Sequence, residues 1–93
     1  MRVQSLKVKS TTKATLLAAT IAGILTNDEA DVIEMNAIGA GAVNQMTKAT
    51  IIAQRFLDEN ESNISFSIKT KYGTTEIDGK EITTIVFAVE KDA

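Results

Sequence analysis

The sequence predicts an α+β fold of two layers, in which a mixed four-stranded sheet carries two helices on one face and the elements run β-α-β-α-β-β. Three observations lead there. Three stretches alternate apolar and polar residues at the period of a strand, a fourth is a short apolar run of strand length, and two longer ones repeat apolar residues at the period of a helix. Asp78-Gly79, before the last strand, is a hairpin signal. At 93 residues the chain makes one domain, residues 1–93, with one core that hides roughly 60 to 65% of the unfolded surface.

Val3 to Lys9 forms the first strand, with Leu6 and Val8 facing inward and Ser5, Lys7 and Lys9 outward. Ser10, Thr11 and Thr12 supply hydroxyls that cap the next helix, which begins near Thr12 or Lys13. Leu17, Ile21, Ile24 and Leu25 are its core stripe, and Ala18, Ala19, Ala22 and Gly23 keep the adjoining surface shallow for a close neighbour. Asn27 is read as its left-handed end. The second strand carries Ile33, Met35 and Ala37 on one side and Glu34 and Asn36 on the other.

Gly39 and Gly41 then form a turn that permits backbone angles and close approaches closed to other residues. A second helix starts at about Ala42. Its inner stripe is Ala42, Met46, Ala49, Ala53 and Phe56, flanked by Val43 and Leu57; its outer stripe is Asn44, Lys48, Ile51 and Arg55. The run DENESN reads as a solvated loop. Ile64, Phe66 and Ile68 mark the third strand, Tyr72 to Lys80 a turn region, and Glu81 to Glu90 an interior strand apolar on both faces. Right-handed crossovers place both helices on one side. The open side then shows Lys7, Lys9, Ser65, Ser67, Lys69 and Lys71.

Composition removes whole classes of function. The chain has no Cys and no His, so disulfides, the usual zinc ligands and every Ser/His or Cys/His nucleophile are excluded, and a reducing cytoplasm is the expected compartment. Net charge is −2, which argues against coating nucleic acid by bulk charge and requires a local basic face for any such contact. Lys13 to Leu25 is too short to span a bilayer, and Thr15 and Thr20 interrupt it as a signal segment. Asp28-Glu29-Ala30-Asp31 spells a helicase string with no P-loop beside it and is read as a loop. Asp58, Glu59 and Glu61 are read as a solvated loop and not as a cation site, so no metal and no cofactor are expected.

AIGAGAVNQMTKATIIAQRFL, preceded by LKVKSTTKATLLAATIAGIL, closely resembles the stage V sporulation protein S family, over nearly the whole chain. AIGAGAVNQ is the most specific part. That family in turn resembles the Alba superfamily of small nucleic-acid-binding proteins. The resemblance implies an Alba-like two-layer fold, no enzymatic activity, assembly into a homodimer or homotetramer, and binding of DNA or RNA in the regulation of development or gene expression. It places nucleic acid on the loop after the first strand, at Lys9, Ser10 and Lys13, and on the turn at Gly39, Ala40 and Gly41. Alba chains usually carry an arginine beside the turn glycine; this chain has Ala40, and Lys48 and Arg55 are the cations left to offset the change.

The expected nucleic-acid contacts are therefore Lys9, Ser10, Lys13, Gly39, Gly41, Asn44 and Lys48: cations and hydroxyls for phosphate, glycine amides for close approach, Asn44 for a base edge. Ile51, Ile52 and Arg55 are the expected self-association surface, since covering two bare isoleucines contributes roughly 3 kcal/mol. Bland readings stand beside these. The glycines also suit a turn that only needs their shape, the outer helical cations also suit plain solvation, and the sheet lysines also suit protection of an edge. A rival function is a homo-oligomeric interaction protein that touches no nucleic acid; a third is a small anionic ligand held at the glycine turn.

Overall fold

The computed structural model describes residues 1–93, and its register explains the alternation residue by residue. Strand β1 (Val3–Val8) lies parallel to β2 (Val32–Ala37), with Val3 opposite Val32 and Val8 opposite Ala37. Helix α1 (Ala14–Thr26) makes the crossover between them. Helix α2 (Ala40–Glu59) leads from β2 to β3 (Phe66–Ile77), which folds back on β4 (Lys80–Lys91). Sheet order is β1-β2-β4-β3, so β4 is interior, as its two apolar faces require.

Directly opposed residues share a face. Val8, Met35 and Ile33 therefore line up with Val89 under the helices, against Ile21 and Leu25 of α1 and Met46 and Leu57 of α2. The two helices lie close against each other, and both bury small residues in the shared core: Ala18 and Ala22 on one, Ala42, Ala49 and Ala53 on the other. That is the close neighbour the shallow surface of α1 asked for; Ala19, on the same helix, stays exposed.

Several boundaries differ from the sequence expectation, each for a local reason. Helix α2 starts at Ala40, because Gly39 (φ 87°) reverses the chain and its carbonyl already accepts from Val43 N–H. Its far end takes in Asp58 and Glu59, which the sequence left to a loop. The left-handed residue after α1 is Asp28 (φ 52°) and not Asn27 (φ −90°). No hydroxyl caps α1; Thr12 Oγ1 instead accepts from Lys9 N–H at 2.8 Å, closing the loop before the helix. The largest difference is the hairpin. Tyr72 to Ile77 continue β3 opposite Lys80 to Ile85, and only Asp78 and Gly79, both at positive φ, turn.

Beyond the Tyr72–Ile85 pair the hairpin has no β2 residue alongside, since β2 ends at Ala37 opposite Ile85. Gly73 to Thr84 thus form an arm that projects past the sheet and lengthens the molecule to 45 Å. No helix is long and apolar enough to cross a membrane.

Candidate nucleic-acid interface

Because β1 and β2 run parallel, the loop after one and the turn after the other emerge at the same end of the sheet. Their packing is direct. A Cβ on Gly41 would sit 2.9 Å from Ser10 Cβ, so only glycine lets the first turn of α2 rest against the β1–α1 loop. Gly41 is required for that approach and not for its backbone angle; of the two turn glycines, only Gly39 has positive φ. Gln45 Nε2 donates to Thr12 carbonyl at 2.7 Å and ties the same two segments together. Thr12 N–H donates to Lys9 carbonyl at 3.0 Å, making the Lys9–Thr12 loop a closed unit.

Both helices begin at this end. Each leaves first-turn N–H groups without carbonyl partners and brings a partial positive charge. Lys9, Ser10, Lys13, Gly39 and Gly41 surround that paired terminus, and all are exposed. Asn44 and Lys48 are exposed too, but they continue up the outer stripe of α2, with Lys48 about 10 Å along the axis from Gly41. The structure therefore gathers five of the seven expected contacts at one spot and sets two on a ridge leading away from it.

Charge pairing divides the cations. Lys9, Lys13, Lys48 and Arg55 have no carboxylate within 4.0 Å, whereas Arg2 pairs with Asp28 and Asp31, Lys71 with Glu34 at 2.7 Å, and Lys69 with Glu90 at 3.9 Å. Lys7 on β1 likewise stays unpaired. At the opposite end six acids, Asp28, Glu29, Asp31, Asp58, Glu59 and Glu61, lie in or just after the last turns of the helices. There Arg2 donates to Asp31 through its side chain and its backbone, which holds that carboxyl below the usual aspartate range. Ser67 and Ser65 hydroxyls do the same for Asp92.

Further along α2, Ile51 is 66% exposed, but Ile52 is half-buried and packs on the core. The expected bare pair is thus one isoleucine beside Arg55, because position 52 has rotated toward the inner stripe.

One feature escaped sequence reasoning. The open face of the sheet holds a cavity of about 600 Å³, bounded by Lys7, Lys9 and Ser10 on one side and by Thr74, Thr75 and Ile77 of the arm on the other. Only the run of threonines between Thr70 and Thr84 hinted at it.

With this geometry in hand, two likenesses to known proteins can be stated. The family described as Stage V sporulation protein S (SpoVS) matches residues 4–92. Among solved structures, Alba from Thermoplasma volcanium superposes with a TM-score of 0.57 over 97% of this chain and 100% of that one, at 12% identity. The second likeness is one of fold: the same two-layer arrangement of β-α-β-α-β-β elements.

Proposed function

Since the chain belongs to the stage V sporulation protein S family and has an Alba-like fold, we propose that it is a non-enzymatic, homo-oligomeric nucleic-acid-binding protein that regulates development or gene expression in the cytoplasm. One observation carries the reading: the Ser10 loop and the Gly39–Gly41 turn are locked together where two helices start and where the nearby lysines have no acidic partner. Such a surface presents amides, hydroxyls and free ammonium groups to phosphate. Lys9, Ser10, Lys13, Gly39 and Gly41 take the backbone, and Asn44 and Lys48 extend the track along α2. The tip of the arm is a poor phosphate ligand, since Glu76, Asp78 and Glu81 outnumber Lys80 there. The contact is therefore assigned to the loops.

Binding to a DNA duplex and to an RNA, followed across a salt series, tests this. If Lys9, Lys13 and Lys48 each neutralise one phosphate, the logarithm of affinity falls against the logarithm of salt with a slope of about −3 per protomer. Lys48→Glu flattens that slope and weakens binding. No detectable binding at low salt would leave the second reading, an interaction protein that acts only through its assembly. The exposed Ile51 favours that one. Light scattering on Ile51→Asp checks the association surface: Ile51 and Arg55 predict a smaller species, and an unchanged mass would remove them from it.

A further inference from the structure

The cavity on the open face is lined from the two opposite edges of the sheet, by Lys7 and Lys9 from β1 and its loop and by Thr75 and Ile77 from the arm of β3, so the face curls inward around it. Its volume lies within the range of small-molecule sites. Two features stand out, one in its wall and one beside it. Thr84 is 3% exposed, and its Oγ1 has no hydrogen-bond partner in the chain. A buried hydroxyl of that kind is ordinarily satisfied. Gly73 lies opposite Thr84, and a Cβ there would come within 2.8 Å of Thr84 Oγ1 and 2.9 Å of Val86 Cγ2. Glycine therefore leaves beside the buried hydroxyl the space that a side chain would fill.

Beside them, Asn36 makes only one long contact, 3.5 Å from Nδ2 to Glu34 carbonyl, and its amide has donors and an acceptor to spare. Lys7 is opposite Asn36 in the register, and neither it nor Lys9 has an acidic partner. The wall is thus cationic at the β1 side and hydroxylated and amidic at Thr84 and Asn36, with Leu6, Val8, Ile38 and Ile77 giving an organic body apolar surface to rest on. We infer that this cavity binds a small organic anion with a hydroxylated body, its phosphate or carboxylate held by Lys7 and Lys9 and its hydroxyl or carbonyl groups by Thr84 and Asn36. The site stands apart from the nucleic-acid reading, although Lys9 and Ser10 border both surfaces.

The test is a backbone amide NMR titration of the full chain without nucleic acid, using ribose 5-phosphate for the phosphate source, gluconate for the carboxylate source and ribose as the neutral control. Concentrations reach about 20 mM, enough to saturate a millimolar site. Expected are saturable shifts at Lys7, Lys9, Asn36, Thr75 and Thr84 with one of the two anions, and none with ribose. Thr84→Val then weakens binding about fivefold while leaving the melting temperature unchanged or higher, because it removes an unsatisfied hydroxyl. Lys7→Gln, a change at an exposed residue, weakens binding by a similar factor with the fold intact. Three results would each overturn the assignment: no saturable shift with either anion, equal binding by Thr84→Val, or shifts at Asn36, Thr75 and Thr84 with a DNA duplex alone.

Discussion

The two ends of this sheet are made from similar parts and do opposite things with their charges. At one end Arg2 is pinned by Asp28 and Asp31, Asp31 and Val32 N–H both donate to Arg2 carbonyl, and Asp92 is held by two serines. At the other, Lys9 and Lys13 stand beside two helix starts with no counter-ion. The charges of Arg2, Asp28, Asp31 and Asp92 at the first end hold the chain together, and the lysines at the second remain available. A net charge of −2 conceals this, since it sums over paired charges, unpaired loop lysines and an acidic arm tip alike. What decides whether an anion is attracted is the local, unpaired charge.

Several changes would break or sharpen that contrast. The largest effect is expected from reversing the free end: Lys9→Glu with Lys13→Glu lowers nucleic-acid affinity at low salt by about a hundredfold, as two phosphate contacts become repulsions. The melting temperature hardly moves, because neither lysine is paired in the fold. A drop in stability to match the lost affinity would mean that this end is structural after all. Next, Gly41→Val forces a side chain into Ser10 and destabilises by about 2 kcal/mol while parting the two loops. Adding Ser10→Gly recovers part of the loss in denaturant unfolding if that contact is the cause.

At the acidic end the expected effects are smaller and depend on pH. Asp31 and Asp92 have lowered pKa values in the folded chain, so their stabilisation is complete above the unfolded aspartate value of about 3.9 and fades as pH falls through the lowered ones. Melting curves between neutral and strongly acidic pH should show that fall. Asp31→Asn should reduce it and lower stability at neutral pH without changing nucleic-acid affinity. Smallest is Ser67→Ala, which removes the hydroxyl that does most to depress Asp92; it raises that carboxyl's pKa, read by carbon NMR, with little change in melting temperature.

Much of the fold was legible because its periods are clean. The stripe through Ala42, Met46, Ala49 and Ala53 is helical, and Ile33, Met35 and Ala37 alternate, so order and layering follow. What was hidden depends on partners distant in the chain. Tyr72, Gly73 and Thr74 look like turn residues until Ile85, Thr84 and Thr83 are set opposite them. Lys69 and Lys71 look free until Glu90 arrives from the adjacent β4 and Glu34 from β2 beyond it. Gly41 was noticed, yet its reason lies in Ser10, and Thr84 was an ordinary strand threonine until the sheet curled around it. For the proposed interface, residue types were readable; which of them would be neutralised was not.

The arm has a consequence for how the molecule breathes. Past its packed base at Gly73 and Thr84, it is held by the pairing of Thr74–Ile77 with Lys80–Thr83, a two-stranded ribbon of the sort that is marginal alone in water. Amide exchange should quicken sharply past Tyr72, and a protease should nick the Asp78-Gly79 tip while the helical layer is still folded. Opening of that ribbon on its own would unroof Thr84 without melting the domain, making the outermost strands the natural door to the sheet's inner curve.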